Sequence, residues 1–365
     1  MKIEELLAEA LRQKASDIHL KVENSPILRI NGRLKPLTGF GKCSIDELAS
    51  LADSIMGDIH KQRLKEKHEI DLAYSVSGLG RFRVNIFQQR GTISIVLRTI
   101  PVDVPTIQQS NLPQVIEKLA METRGLILVT GTTGSGKSTT LAAMIDYINT
   151  NREDHIITIE DPIEFLHRDK KSIVNQREVG PDTGSFSVAL RSALRQDPDV
   201  ILVGEMRDFE TIQTALVAAE TGHLVLSTLH TTDATETINR IIAVFPPFQQ
   251  KQVRIQLASV LKGVISMRLV SQADGKGRIP AVEVLVVTST AKEYIIDPDK
   301  TKLIHDVIAA GTSQYGMQTF DQALLKLYQD NLITYEEALR QSTNPDDFAL
   351  RAKGIISTAD ATWEV

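Results

Sequence analysis

The run Gly131-Thr-Thr-Gly-Ser-Gly-Lys-Ser138 constrains the fold more than any other stretch of the chain. It matches the phosphate-binding pattern G-x-x-x-x-G-K-[ST] at every fixed position. The preceding residues 125–130 form a short apolar run, typical of a parallel strand that is buried on both faces. The following residues 139–148 carry apolar side chains at helical spacing. Strand, glycine loop and helix together predict a binding site for a nucleotide.

Each residue type in this loop has a chemical reason to be there. Glycines let backbone N–H groups curl around phosphates, and the N-terminus of the following helix adds a favourable dipole. We expect Lys137 to reach the β- and γ-phosphates and the Ser138 hydroxyl to contribute to a Mg²⁺ site. The alternative is a chance match in a Gly/Ser/Thr-rich turn. The residues expected to bind ATP or ADP are Gly131, Thr132, Thr133, Gly134, Ser135, Gly136, Lys137, Ser138 and Thr139.

The composition excludes several other classes of protein. A net charge of −5 over 365 residues argues against a surface built mainly to hold nucleic acid. The single cysteine, Cys43, excludes an internal disulfide and a cysteine-based zinc site. No apolar run approaches the roughly 20 residues needed to span a bilayer, and the acidic, amphipathic N-terminus does not resemble a signal peptide. We therefore expect a cytoplasmic protein that meets a membrane only through a partner.

The first hundred residues predict a small α+β domain. Helical spacing indicates helices over 3–14 and 44–56, the second with a capping box formed by Ser44 and Glu47. Extended stretches follow residue 16 and flank the Asn31-Gly32 turn signal. Further strands, which would complete an antiparallel sheet, are predicted over 70–76, 81–87 and 92–98.

The remainder of the chain predicts an α/β domain with a parallel sheet, because strands and helices alternate. Proline residues at 101 and 105 indicate a stiff linker before it. The strand predictions are 126–130, 155–160, 199–203, 224–229 and 281–287. The domain boundaries predicted are 1–100, a linker over 101–118, an ATPase core over 119–290, and a helical C-terminal region over 291–365 ending in a loose tail from 355.

Acidic residues end two of these strands, where ligands sit in parallel sheets. Pro162 stops the first strand and leaves Glu160, Asp161 and Glu164 near the phosphate end, where one could polarise water and another hold Mg²⁺. Solvated turn charges are the alternative. The second strand ends at Gly204, with Glu205 following. This strand resembles the one that carries the Mg²⁺-associated acid in ATPases with such a glycine loop, but here glycine occupies the usual aspartate position.

Two histidines flank the strand predicted over 224–229. Seven steps of about 3.3 Å separate His223 from His230 by more than about 20 Å, so they cannot share one metal ion. His230 ends the strand on the nucleotide side and could sense the γ-phosphate. A structural or subunit-contact role fits His223 at the opposite edge.

Phosphoryl transfer usually needs a guanidinium, and none follows the glycine loop closely. Candidates lie on the predicted small-domain strands and in the larger domain; the alternative is a solvated face. They are Arg81, Arg83, Arg98, Arg191, Arg195 and Arg207.

Several segments together resemble the secretion-type hexameric ATPases, in particular the type IV pilus retraction (PilT-like) ATPases. The markers, besides the glycine loop, are segments 15–20, 81–87, 159–164, 195–199, 204–208 and 221–232. The resemblance implies an N-terminal PAS-like domain, a C-terminal RecA-like P-loop domain and a homo-hexameric ring. It also implies the site residues: Glu164 as the base for water, Glu205 near Mg²⁺, His223 and His230 as a histidine box, Arg195 among the nucleotide-binding residues, and Arg81 and Arg98 approaching nucleotide from the small domain.

Two features choose among relatives. Pilus-extension and type II secretion ATPases typically carry an extra N-terminal domain and a four-cysteine zinc insert. The resemblance places the expected PAS-like domain at the start of this sequence, and Cys43 is its single cysteine, so we expect the retraction branch. Retraction ATPases, however, carry a motif close to Ala-Ile-Arg-Asn-Leu-Ile-Arg-Glu, and here acidic Glu293 and Asp297 replace both arginines. ATP hydrolysis should be unaffected, whereas coupling to retraction is in question.

We therefore expect a Mg²⁺-dependent ATPase ring that drives pilus retraction and twitching motility from the cytoplasmic face of the inner membrane. Its partners would be a membrane platform protein and, indirectly, the pilin filament, with no nucleic acid. The alternatives within the family are an accessory retraction paralogue and a secretion or pilus-assembly ATPase. The alternatives from other classes are a nucleic-acid-dependent RecA-like motor, disfavoured by the acidic balance, and a non-catalytic nucleotide-binding regulator.

Overall fold

A computed structural model describes residues 2–101 and 103–355. The loose tail is predicted from residue 355, and its residues 356–365 lie outside the described residues. The chain divides into two compact units: Met1–Asp103 with Glu164–Leu166, and Val104–Ile163 with His167–Val365.

The first unit is an antiparallel sheet with helices on one face. Its strands lie in the order β3-β2-β1-β6-β5-β4. The elements in chain order are α1 (Ile3–Arg12), β1 (Asp17–Leu20), β2 (Ile27–Ile30), β3 (Arg33–Pro36), α2 (Ile45–Ile55), α3 (Asp58–Lys67), β4 (Glu69–Val76), β5 (Gly80–Gln89) and β6 (Thr92–Thr99).

Local sequence explains where its helices begin and what they bury. The predicted capping box is present, because Ser44 Oγ accepts from Glu47 N at 3.2 Å and the Glu47 carboxylate accepts from Ser44 N at 2.9 Å. Helices α1 and α2 bury apolar stripes against the sheet. Helix α3 was not predicted, since its sequence is almost entirely polar and it buries only Leu64.

The second unit is a largely parallel sheet covered by helices on both faces, which confirms the predicted α/β class. Its elements are α4 (Val115–Ala120), β7 (Gly125–Thr130), α5 (Lys137–Asn151), β8 (His155–Glu160), β9 (Ile173–Glu178), α6 (Phe186–Ala193), β10 (Val200–Val203), α7 (Phe209–Glu220), β11 (Leu224–Leu229), α8 (Ala234–Ala243), α9 (Pro247–Val260), β12 (Leu261–Ser271), β13 (Arg278–Val286), α10 (Ser289–Ile296), α11 (Ile304–Ala310), α12 (Thr312–Tyr315), α13 (Phe320–Gln329), α14 (Tyr335–Gln341) and α15 (Pro345–Ala352).

Strand β7 lies near the middle of this sheet, whose order is β13-β12-β7-β11-β10-β8-β9. Successive side chains of β7 point to opposite faces, so Leu126 and Leu128 join one apolar core while Ile127 and Val129 join the other. Residues 104–118, predicted as a linker, belong to this unit, and Ile107 and Leu112 are buried in it.

Two strands of this sheet were not predicted. Strand β9 is a polar edge strand in which only Glu178 is fully buried, so it lacks the apolar run of a central strand. Strand β12 follows α9 directly, with Val260 ending the helix and Leu261 opening the strand. No glycine, proline or turn residue marks that junction.

Candidate nucleotide site

The phosphate loop joins β7 to α5 in a conformation that requires glycine. Gly131 has φ +139°, and a Cβ there would lie 2.5 Å from Met267 O and 2.6 Å from Ser135 Oγ. Gly136, the residue before α5, has φ +103°. The loop therefore packs against β12 with bare backbone, an approach that a side chain at position 131 would block.

Lys137 opens helix α5 and points back into this loop. Its Nζ donates to Gly131 O at 2.7 Å and to Thr132 O at 3.0 Å. Burial lowers the pKa of Lys137, and the charge of Glu205 opposes that shift. An ammonium group has three hydrogens, so one remains for a phosphate oxygen after the two loop carbonyls are satisfied.

Neighbouring strands of the sheet bring three further loops to the same edge. Strands β11, β10 and β8 follow β7 in the sheet and run parallel to it. His230, after β11, lies with Nε2 3.1 Å from Oε1 of Glu205, after β10. The Glu205 carboxylate also accepts from Arg207, and the charge of Asp161, after β8, acts on the same guanidinium. The structure thus brings Glu205, His230 and Asp161 to the edge that carries Lys137.

The glycine at position 204 is explained by close strand packing. Gly204 N donates to Ile159 O at 2.7 Å. A Cβ at 204 would lie 3.1 Å from that carbonyl oxygen and 3.3 Å from Glu160 Cα. An aspartate would be crowded here, and the acid comes instead one residue later, at Glu205.

The residues present fit a Mg²⁺ ion that is held largely by phosphates and water. The exposed Ser138 hydroxyl and Glu205 Oε2 are hard oxygen donors without a partner among residues 2–101 and 103–355. Within the same residues, no group of three or more His, Cys, Asp or Glu side chains could hold a metal alone.

The acids around Pro162 have different environments. The Glu160 carboxylate accepts from Thr158 Oγ1 at 2.6 Å and from Gln176 Nε2 at 3.1 Å, so its side chain is held within the sheet. Glu164 is exposed and belongs to the segment Glu164–Leu166 that groups with the first unit. The base role of Glu164 stays a prediction.

Two other predicted residues do not join this edge of the sheet within one chain. His223 precedes β11, and its Nδ1 lies 2.9 Å from Ala218 O. Arg195 lies after α6, and its Nη1 donates to Arg191 O at 3.2 Å. Both residues come before the strand to which their loop leads, so they lie at the amino ends of β11 and β10. Roles at nucleotide for them stay predictions.

The helix-free sheet face of the first unit carries a row of arginines around one buried acid. Arg29, Asp17, Arg98 and Arg83 are directly opposite one another in the registers of β2, β1, β6 and β5. Asp17 accepts from Arg98 Nε at 2.8 Å and lies 3.6 Å from Arg29 Nε. Among the described residues no partner takes Arg98 Nη1 or Nη2, so its exposed fork is oriented and available to an anion. Arg81 lies on the same strand as Arg83.

Sequence reasoning missed a buried acid close to the phosphate loop. Glu283 on β13 is 3% exposed, and Ser266 lies beside it on β12. Burial raises the pKa of Glu283 to about 7, against the hydrogen bond donated by Ala234 N. The signal in the sequence is one charged residue inside the apolar run 281–287.

Comparison with known proteins agrees with this geometry. The type II/IV secretion system protein family matches residues 1–359. The chain belongs to this family. The type IV pilus retraction ATPase PilT of Pseudomonas aeruginosa is 46% identical over 348 residues, covering 95% of this chain and all of PilT. The type IV pilus ATPase PilU of the same organism is 42% identical over 363 residues, covering 99% of this chain and 94% of PilU.

A solved structure shows the same relationship. The crystal structure of the pilus retraction motor PilT with bound ADP is 49% identical, covers 95% of this chain and 98% of its own, and superposes with a TM-score of 0.86. These similarities confirm the predicted resemblance to the pilus retraction ATPases and the predicted fold. Across residues 2–101 and 103–355, no helix is long and apolar enough to cross a membrane.

Substituting Gly131→Ala tests the packing of the phosphate loop. The new methyl would collide with Met267 O, and its backbone would be strained at φ +139°, so we expect the affinity for ATP to fall at least about tenfold. Titration with a fluorescent ATP analogue measures this. Gly184→Ala is the control, because a Cβ there meets nothing within 4 Å. Unchanged affinity in Gly131→Ala would show that the loop does not need this approach to β12.

Proposed function

We propose that this chain is an ATP-hydrolysing ring motor that powers type IV pilus retraction. The observation that carries the proposal is the shared edge of Lys137, Glu205 and His230 in a chain that aligns with PilT over 95% of its length. Like PilT in its ADP-bound structure, the chain would bind nucleotide, and it would hydrolyse ATP in the presence of Mg²⁺.

The chain's own residues divide the chemistry between them. Loop N–H groups and Lys137 bind the phosphates, and Ser138 with Glu205 would hold Mg²⁺, which neutralises charge on the transferring phosphoryl group. Glu164 orients or deprotonates the attacking water. His230, anchored on Glu205, reads whether the γ-position is filled.

Assembly and force transmission complete the proposal. The chain would form a homo-hexamer at the cytoplasmic face of the inner membrane, in which Arg81 and Arg98 reach the nucleotide of an adjacent subunit. Support comes from Asp17, which orients Arg98 on an exposed sheet face. Rigid-body motion driven by hydrolysis would pass to an integral membrane platform protein and so to the pilin filament.

Replacing Glu164 with glutamine tests the assignment of the base. Gln cannot accept the proton of water, so turnover should fall by about 10²-fold or more while nucleotide still binds. Steady-state phosphate release and ADP titration measure the two quantities. Glu160→Gln is the matched control, because the Glu160 side chain is held by Thr158 and Gln176. Near-normal turnover in Glu164→Gln would move the base role to another acid, Asp161 first.

Mixing inactive subunits tests whether arginines act across subunits. A Lys137→Ala subunit keeps the arginine fork, and an Arg98→Ala subunit keeps the phosphate loop. In a randomly mixed ring, about a quarter of the interfaces would combine both intact parts, so turnover should reappear at equal ratios. Phosphate release across a mixing series measures this. A flat, inactive series would place the arginine and the loop in one subunit, whereas turnover by the Arg98→Ala chain alone would remove Arg98 from the reaction.

The surface at residues 291–298 favours a second candidate function, that of an accessory retraction motor. Lys300 Nζ lies 2.8 Å from a Glu293 oxygen and 3.8 Å from an Asp297 oxygen, so the two acids form a paired cluster rather than a basic surface. Helix α10, which carries this segment, is fixed to α9 through Arg254, whose Nη1 donates to Ile295 O. The charge of this surface would differ from that of the corresponding surface on the principal motor, so the two would bind their partners differently.

A deletion strain separates these functions. Loss of the principal retraction motor should give hyperpiliated cells that do not twitch, because filaments extend but are not removed. Normal piliation with weakened retraction would indicate the accessory role, and bald cells an assembly ATPase. Pilus counts and twitching zones measure the outcome. Complementation with the intact chain, compared with Lys137→Ala, shows whether nucleotide binding is required.

A further inference from the structure

Three buried polar residues form a row across three adjacent strands of the sheet, at the point where β7 ends and the phosphate loop begins. Thr130, Ser266 and Glu283 are directly opposite one another in the registers of β7, β12 and β13. Thr130 Oγ1 donates to Ser266 Oγ at 3.1 Å, and Ser266 hydrogen-bonds the Glu283 carboxylate. Each is 3% exposed or less. Buried polar groups without hydrogen-bond partners would lower the stability of the fold. The hydrogen bonds among these three residues satisfy their polar groups and join them into one network.

The other end of this network holds the loop that carries His230. Glu283 Oε1 accepts from Ala234 N at 2.9 Å. Ala234 is the first residue of α8 and directly follows its N-cap, Asp233. The short segment between His230 and Ala234 is thus fixed at both ends, by Glu205 on one side and by Glu283 on the other.

The environment of Glu283 places its ionisation in the neutral range. The groups that face it are Asp233 at the N-cap of α8, Arg268 from β12 and His305 from α11, around a cavity of about 100 Å³. Burial raises the pKa of Glu283 to about 7; the Ala234 hydrogen bond and the charge of Arg268 oppose the shift, and Asp233 adds to it. The cavity gives the carboxylate room to exchange its proton without unfolding.

We propose that Glu283 is a positioning residue of the ATPase site, whose ionised carboxylate fixes the His230 loop relative to the phosphate loop through Ala234 and Ser266. The inference rests on the proposed function, because it acts on nucleotide only through His230 and Glu205. Protonation turns one acceptor oxygen into a donor and weakens the bond to Ala234 N, so it loosens the loop.

This role and a purely structural role have opposite pH dependences. Folding raises the pKa of Glu283, so the folded state binds its proton more tightly than the unfolded state does. Its contribution to stability is therefore present at acid pH and is lost as pH rises from about 4.5 to about 7. Turnover should instead rise over the upper part of that range as the carboxylate ionises.

The test compares the wild-type chain with Glu283→Gln as a function of pH. Gln keeps an acceptor for Ala234 N but not the charge, and so resembles the protonated form. We expect kcat per bound nucleotide to be about fivefold below wild type near pH 8.5, to converge with it near pH 6, and KM for ATP to change little. The thermal midpoint of Glu283→Gln should exceed that of wild type most at the higher pH. A pH-independent kcat ratio would overturn the proposal.

A matched control and a double-mutant cycle complete the test. Glu337 also accepts a backbone amide of β12, Ser271 N at 3.0 Å, but at the far end of that strand, so Glu337→Gln should leave turnover unchanged. In a His230→Ala background, Glu283→Gln should have no further effect on kcat. An effect as large as in the wild-type background would show that Glu283 does not act through His230. Should Glu283→Gln fold poorly, Ser266→Ala removes the bonds to Thr130 and to Glu283, leaves the bond from Ala234 N to Glu283, and should lower kcat in the same direction. If the wild-type chain shows no ATP turnover that depends on Lys137, the proposed ATPase activity itself is refuted. That result is distinct from a failure of the Glu283 proposal.

Discussion

The contact between bare backbone at Gly131 and the carbonyl of Met267 is the constraint on which the nucleotide site depends. It lets the loop after β7 fold back against β12, and the side chain of Lys137 can then return to the loop carbonyls. Because β12 lies between β7 and β13, this contact also fixes how far the loop stands from the C-terminal elements. The loop is thus packed against the edge of the sheet.

The parallel sheet converts sequence positions far apart into neighbours at one edge. Gly204 permits β10 to approach β8 closely, which brings Glu205 into reach of His230 after β11. The charges are balanced locally: Glu205 accepts from Arg207, and its charge favours the ammonium form of Lys137. Such a preorganised set of charges needs little rearrangement when phosphate charge shifts, which is what phosphoryl transfer requires.

The sequence predicted the features that depend on local pattern and missed those that depend on pairing. The phosphate loop, the capping box at Ser44 and the central strands follow from motif and periodicity. Strand β12 was hidden because a helix runs into it without a breaker, and β9 because an edge strand needs no apolar run. The orientation of Arg98 by Asp17 depends on a register between β1 and β6, which no local pattern reveals.

Glu283 illustrates why a buried charge is informative even when it does not touch a ligand. Apolar residues at the positions of Thr130, Ser266 and Glu283 would pack at a lower cost in folding free energy, because a buried ionised carboxylate lowers stability. The charge nevertheless supplies the only acceptor described for the Ala234 amide, at the start of the helix that follows the His230 loop. A network of this kind exchanges some stability for a defined arrangement of two loops, the phosphate loop and the loop that carries His230. In the proposed motor, which would cycle between nucleotide states, a carboxylate whose pKa is raised by burial would hold the His230 loop and could still release it on protonation.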